Sequence, residues 1–153
     1  MNWSDSSIGK NPIKNLLKNN LSPKMLQLTA LHHIAIICSD YERSKKFYTE
    51  ILGLQVLREV YRAERDSYKL DLGIGDHYVI ELFSFPNPPK RPSRPESCGL
   101  RHLAFAVENV EQKRAELLQK GVNCEEIRID EFTEKKFFFI ADPDHLPLEF
   151  YEM

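Results

Sequence analysis

Four side chains in this sequence combine residue types and a spacing that could hold a divalent metal ion. His33 and Glu81 occur in the first half of the chain, and His102 and Glu149 occur in the second. The histidines are 69 residues apart (33 to 102), and the glutamates are 68 residues apart (81 to 149). Imidazole nitrogens and carboxylate oxygens suit nickel, zinc, cobalt or manganese. The duplicated pair therefore predicts one divalent ion with four protein ligands, its identity open.

The surroundings of the two glutamates strengthen this interpretation. Both lie in apolar runs typical of strands, Tyr-Val-Ile-Glu-Leu-Phe and Leu-Pro-Leu-Glu-Phe-Tyr. Alternate side chains of a strand share a face, so Glu81 lies beside Val79 and Phe83, and Glu149 beside Tyr151. A carboxylate on an apolar face is costly unless it is paired or binds a metal. Either glutamate alone is compatible with a structural ion pair, but the duplication favours a shared metal site.

The elements that must position these residues also recur. Each half begins with a strand, continues with a helix that ends at a glycine, and adds three more strands. The pattern predicts an α+β fold of two tandem βαβββ modules. The predicted strands are 31–38, 54–61, 67–74, 78–85, 100–107, 123–129, 135–141 and 146–152, and the predicted helices are 44–52, capped by Asp40, and 110–120.

The chain also divides by composition. Residues 1–30 are rich in Asn, Ser and Lys and predict a flexible N-terminal extension, although a partner-binding helix is an alternative. Residues 31–153 form the predicted domain, with modules at 31–86 and 99–153. Prolines are concentrated in the linker, 86–98, where they cannot donate to a strand ladder. The role of the extension stays open.

Composition excludes several classes of protein. The 153 residues carry 21 Lys and Arg against 23 Asp and Glu, a net charge of −2. Such a chain has no general attraction for nucleic acid or anionic membranes, and no apolar run is long enough to span a bilayer. Cys38, Cys98 and Cys124 form no CxxC pair, so neither a disulfide framework nor a thiolate zinc site is indicated. The prediction is a cytoplasmic protein.

The same residues resemble the vicinal oxygen chelate superfamily, the group of glyoxalase I, bleomycin-resistance proteins and extradiol dioxygenases. The resemblance covers about residues 31–153 and implies cupped mixed sheets around a metal site. It is carried by His33 in HHIAIICSD, the helix SKKFYTEILGL, Glu81 in VIELF, His102 in RHLAF and Glu149 in DPDHLPLEF.

Within that family, the His-Glu-His-Glu set is similar to metal-dependent, lactoylglutathione lyase-like glyoxalase I. The resemblance implies an isomerisation of the hemithioacetal of a 2-oxoaldehyde, such as methylglyoxal, through a metal-bound enediolate. Glu149 would be the base that detaches and moves the proton, and Glu81 would assist from the opposite face. Alternatives are another metal-dependent reaction, such as an epimerisation or a dioxygenation, or small-molecule binding without catalysis.

Two residues bear on the identity of the substrate, and the oligomeric state bears on how the metal site is completed. Glutathione-using relatives carry an arginine and an asparagine where this chain has Ile37 and Phe85. Another thiol or a less charged small molecule is therefore expected as the partner. The family also implies a homodimer, whose metal site lies either within one chain or across two.

Overall fold

The structure, a computed structural model, describes residues 26–153. Residues 26–31 are exposed and have no regular secondary structure, and the rest of the predicted extension lies outside the described residues. His32–Met153 form one compact unit. No helix in the described part of the chain is long and apolar enough to cross a membrane.

The first half of this unit forms a four-stranded mixed sheet. The strand order is β1-β4-β3-β2, with β1 parallel to β4 and the other pairs antiparallel. Its elements are β1 (Ile34–Cys38), α1 (Tyr41–Lys46), a π-helical turn (Phe47–Ile51), β2 (Gln55–Arg62), a 3-10 turn (Ala63–Arg65), β3 (Ser67–Ile74) and β4 (His77–Ser84).

The second half repeats this topology. Its strand order is β5-β8-β7-β6, and again only the first pair, β5 and β8, is parallel. The two described sheets confirm the predicted α+β fold of tandem βαβββ modules. The elements are β5 (Leu103–Val107), α2 (Val110–Gln119), β6 (Arg128–Ile129), β7 (Lys136–Ala141) and β8 (Pro147–Glu152).

The first helix differs from its prediction in position and form. The Asp40 side chain accepts a hydrogen bond from the Arg43 N–H, so α1 begins at Tyr41 as the capping residue requires. The helix then widens into the π-helical turn, and Gly53, at a φ of 79°, follows it. That turn buries Tyr48 completely. The predicted helix at 44–52 is therefore present, but it begins at Tyr41 and its second half is π-helical.

The strand predicted at 123–129 is shorter than expected. Only Arg128 and Ile129 pair with β7. Arg114 of α2 donates to the Glu125 carbonyl at 2.8 Å and to the Glu126 carboxylate at 2.8 Å. The Glu125 N–H still donates to the Phe139 carbonyl at 2.9 Å, so residues 123–127 lie beside β7 without forming a regular ladder.

A buried contact joins the modules. Tyr48 donates from its hydroxyl to Asp142 Oδ2 at 2.8 Å, while Asp142 Oδ1 accepts the N–H groups of Asp144 and Leu146. Asp142 is 5% exposed, and burial raises the pKa of its carboxyl. The junction therefore depends on a polar group that the surrounding apolar core isolates from solvent.

Candidate functional site

The parallel pair of β1 and β4 forms the first half-site, His33 and Glu81. Ala35 lies opposite Glu81 in this register, and His33 lies two residues earlier on the same face. The imidazole Nε2 of His33 is consequently 3.3 Å from Glu81 Oε2. The other face of β1 turns inward, with Cys38 1% exposed, whereas Ile37 is 55% exposed. The half-site therefore lies on the open face of the sheet.

The second half-site, His102 and Glu149, has the same construction on β5 and β8. Ala104 lies opposite Glu149, and His102 precedes it by two residues. The distance between His102 Nε2 and Glu149 Oε2 is 3.1 Å. The two glutamates are similarly shielded, with side-chain exposures of 14% for Glu81 and 13% for Glu149. The modules thus repeat the geometry as well as the residue types.

The half-sites do not merge within one chain. Across residues 26–153, no group of three or more His, Cys, Asp and Glu side chains is arranged to hold a metal ion. The structure brings the four predicted ligands together as two separate pairs. A four-ligand site within a single chain is therefore not seen in this part of the protein. A site shared between two copies stays a prediction.

The neighbouring strand β3 contributes residues to the first half-site that the motif did not include. Lys69 places its Nζ 2.5 Å from Glu81 Oε1 and 2.5 Å from Asp71 Oδ1. Asp71 lies directly opposite Glu81 in the sheet and also accepts hydrogen bonds from Arg58 and Tyr78. The alternation Tyr-Lys-Leu-Asp-Leu carried the signal, since it places both charged residues on one face.

These contacts keep the carboxylates of Glu81 and its neighbour Asp71 ionised. Burial opposes ionisation of Glu81, but the bonds from Lys69 and Tyr78 outweigh it and lower the pKa of that carboxyl. Burial likewise opposes ionisation of Asp71, where Lys69 and Arg58 dominate and lower its pKa. A deprotonated Glu81 is the form that a metal ion requires.

The two histidines differ in what surrounds Nδ1, the ring nitrogen that does not face the glutamate. His33 Nδ1 lies 2.7 Å from His32 Nδ1, and its ring stacks on Tyr78 with 5.0 Å between centroids. The His32 ring therefore packs directly beside a candidate ligand. His102 Nδ1 is buried without a hydrogen-bond partner among the described residues. In both histidines, Nε2 is the nitrogen that faces the glutamate.

The second half-site has an apolar wall instead of a charged neighbour. Phe139 lies opposite Glu149, at the place that Asp71 occupies in the first module. Its ring meets the His102 ring edge to face at 5.2 Å. The Arg128 guanidinium lies over the rings of Phe137 and Phe139, at 4.9 and 5.3 Å from their centroids. Glu149 therefore faces an aromatic surface.

The structure also places Ile37 and Phe85, the two residues from which the sequence analysis predicts a partner other than glutathione. Ile37 is exposed on the face that carries His33. Phe85 follows β4, and the Arg62 guanidinium lies over the rings of Phe83 and Phe85, 4.6 and 5.5 Å from their centroids. The face around the first half-site thus combines apolar side chains with one stacked arginine.

Comparison with known proteins identifies the family. The family model of the Glyoxalase/Bleomycin resistance protein/Dioxygenase superfamily matches residues 30–150. The chain is 60% identical over 125 residues to the uncharacterized protein YwkD of Bacillus subtilis, covering 82% of this chain and 98% of that protein. The crystal structure of a glyoxalase family protein from Enterococcus faecalis shares 48% identity and a TM-score of 0.76, covering 81% of this chain and 98% of that one. The chain belongs to this superfamily.

A more distant relative has a named activity. The lactoylglutathione lyase of Schizosaccharomyces pombe is 27% identical over 144 residues, which cover 78% of this chain and 46% of that protein. Members of the superfamily commonly use a divalent metal.

The two pairs fit a metal ion in chemistry and in spacing. Each supplies one imidazole nitrogen and one carboxylate oxygen, both accepted by borderline divalent ions. Two ligands about 2.1 Å from one ion and at right angles to each other lie about 3 Å apart. The observed separations of 3.3 and 3.1 Å match this spacing.

Proposed function

We propose that this protein is a metal-dependent lyase or isomerase of the glyoxalase type. Its substrate would be the hemithioacetal of a 2-oxoaldehyde, or a similar small molecule with oxygens on neighbouring carbons. The observation that carries the proposal is the duplicated His–Glu pair, with separations of 3.3 and 3.1 Å at equivalent places in two modules. A solvated sheet face would not repeat this pair among apolar residues.

The active unit in this proposal is a homodimer. The first half-site of one protomer would face the second half-site of its partner, and a two-fold axis would generate two equivalent four-ligand sites. Ile37 and Val60, on the face of the first half-site, are 55% and 44% exposed in the single chain. A second copy would cover this apolar surface while completing the ligand set.

The residues then have distinct roles in the reaction. His33, Glu81, His102 and Glu149 would hold the ion, which when bound supplies Lewis acidity toward two neighbouring substrate oxygens. Glu149 would take the proton from the carbon that bears the sulfur and return it to the adjacent carbon. No atom is gained or lost, and the product is a 2-hydroxyacyl thioester. Phe137 and Phe139 would keep water from the carboxylate while it carries the proton.

The thiol and the compartment are part of the same proposal. Ile37 and Phe85 offer no hydrogen bond to the carboxylates of glutathione, so a smaller or less charged thiol is expected. Cys38, Cys98 and Cys124 are free, as expected for a reducing cytoplasm. Nickel, zinc, cobalt and manganese are the candidate metals.

The test is metal analysis combined with a substrate panel. Protein purified without added metal should contain about one divalent ion per chain, since two chains would form two sites. It should isomerise at least one methylglyoxal hemithioacetal formed with glutathione, cysteine or 2-mercaptoethanol. Chelation should abolish turnover, and one of the four candidate metals should restore it. Oxygen uptake with an iron requirement would indicate a dioxygenase instead, and tight ligand binding unaffected by a chelator would indicate a non-enzymatic binder.

A further inference from the structure

The two candidate carboxylate ligands are held unequally. Glu81 Oε2 faces His33, while Oε1 accepts from Lys69 at 2.5 Å, so both of its oxygens are engaged. Glu149 Oε2 faces His102, and across residues 26–153 no second ion pair or hydrogen bond holds its side chain. The two modules therefore differ in how firmly they hold the glutamate.

We propose that Lys69 is a positioning residue that fixes Glu81 as a lasting metal ligand, which leaves Glu149 as the carboxylate that can move a proton. This inference rests on the proposed function, because it assigns different duties to the two glutamates of that site. Lys69 does not touch the reacting atoms. It acts through the orientation of Glu81.

The position of Lys69 between two carboxylates explains why it is held so firmly. Asp71 and Glu81 lie directly opposite each other on adjacent strands, where like charges are destabilising. Lys69 bridges the two carboxylates and reduces their repulsion, and its side chain is only 22% exposed. Arg58 holds the second oxygen of Asp71, with its Nε 2.8 Å from Oδ2. The chain Arg58–Asp71–Lys69–Glu81 thus ties the ligand to strands β2 and β3.

The lysine and the proposed ion would not compete for the same oxygen. Lys69 binds Oε1 of Glu81, and His33, the other ligand of the half-site, faces Oε2. Hydrogen bonds that orient a coordinating carboxylate strengthen metal binding, and their removal typically costs about 10–100-fold in affinity or activity. The second module has no such bond because Phe137 lies at the position of Lys69 in the pairing of β7 with β8.

Cobalt binding to the metal-free full-length protein tests this inference. Co²⁺ affinity would be measured by competition with a chromophoric chelator for the parent, Lys69→Met, Lys69→Arg and Lys136→Met. Lys136 pairs with Glu111 and, by strand alternation, lies on the sheet face opposite to Phe137 and Phe139, so it serves as the matched control. We expect Lys69→Met to bind Co²⁺ at least about tenfold more weakly, whereas Lys69→Arg keeps most of the affinity and Lys136→Met is unchanged.

The direction of the change in Co²⁺ affinity distinguishes an effect of Lys69 on the orientation of Glu81 from an effect of its charge. Loss of a nearby positive charge would by itself tighten the binding of a dication. Weaker binding in Lys69→Met therefore reports lost orientation, and the Co²⁺ absorption spectrum should change with it. Equal or tighter binding in that variant would overturn the inference.

Two further comparisons keep the result interpretable. If Lys69→Met does not fold, the double variant Lys69→Met/Asp71→Asn removes the lysine together with the carboxylate that would repel Glu81. We expect this variant also to bind Co²⁺ more weakly than the parent, and equal or tighter binding would again overturn the inference. A parent protein that binds none of the candidate metals would instead refute the proposed function. Binding by the parent with no loss in the variants refutes only the role of Lys69.

Discussion

The two modules place the same pair of side chains on the same pair of strands but surround them differently. Glu81 lies opposite Asp71 and accepts from Lys69, whereas Glu149 lies opposite Phe139. The backbone register sets the His–Glu separation in both modules, so the donor geometry is preserved. The adjacent strand is free to vary because it does not set that separation. One duplicated frame can therefore give one glutamate a polar anchor and the other an apolar wall.

The largest effect expected from this difference is on turnover. Glu149→Gln should lower turnover by about 10²–10⁴-fold, the usual contribution of a positioned proton carrier, because an amide cannot accept the proton. Glu81→Gln should instead act mainly on metal content, since it removes a fixed ligand. Steady-state kinetics and metal analysis of both variants measure the contrast.

The control for this pair is Glu64→Gln, an exposed position in the 3-10 turn. It should leave turnover and metal content unchanged. Full activity in Glu149→Gln would remove the proposed proton carrier. Equal losses of turnover and of metal in the two variants would remove the contrast between the modules.

Mixing two inactive chains tests whether the modules of different copies complete one site. A dimer of His33→Ala with Glu149→Gln would contain one site with both changes and one site with none. Refolded together in equal amounts, the variants should recover about a quarter of parental activity, since half of the dimers are mixed and each has one intact site. Activity of the separate and the mixed variants provides the measurement.

A site confined to one chain gives the opposite result. Every chain in the mixture would then carry one broken site, and no activity would return. Mixing His33→Ala with Glu81→Gln is the matched control, because both changes affect the first half-site. It should recover nothing in either arrangement.

Much of the fold followed from the sequence because its signals are local. Strand alternation placed Glu81 with Val79 and Phe83 on one face, and the recurring order of elements indicated two modules. The duplicated spacing identified the four candidate ligands, and the structure arranges them as two pairs. These features depend on neighbours within a strand, or on a repeat, and a sequence shows both directly.

The remaining features depend on contacts between elements. Lys69 is on the face of Glu81 by alternation, but only the register of β3 against β4 brings it to Oε1. Arg114 of α2 likewise contacts the Glu125 carbonyl in the segment before β6. No spacing of residues in the sequence predicts either contact. The separation of the half-sites could not be foreseen either, because both ways of completing the site use the same residues.

The two modules also differ just before their last strands, where the second module has the buried Asp142 and the first has the exposed Ile74. Asp142 stands 68 residues after Ile74, the same offset as the glutamates, yet Asp142 is 5% exposed and Ile74 is 53% exposed. Asp142→Ala would leave the Tyr48 hydroxyl and two backbone N–H groups without their acceptor. We expect it to lower the free energy of unfolding by about 2–4 kcal/mol. Asp142→Asn keeps an acceptor for the N–H groups and should cost less than about 1 kcal/mol, as chemical denaturation can measure.

The pH dependence of Asp142→Asn sharpens this last prediction. Burial raises the pKa of Asp142 above its ordinary value near 3.8, so between the two values the folded protein binds a proton that the unfolded chain has released. The stabilising contribution of this carboxyl is therefore complete below the ordinary value and declines as the pH rises through the raised one. Asparagine does not titrate, so the stability of the parent relative to this variant should fall as the pH rises from below 4 and then level off. A difference that grows with pH would show that the hydrogen bonds from Tyr48, Asp144 and Leu146 outweigh burial. The junction of the modules would then be strongest with an ionised carboxylate at its centre.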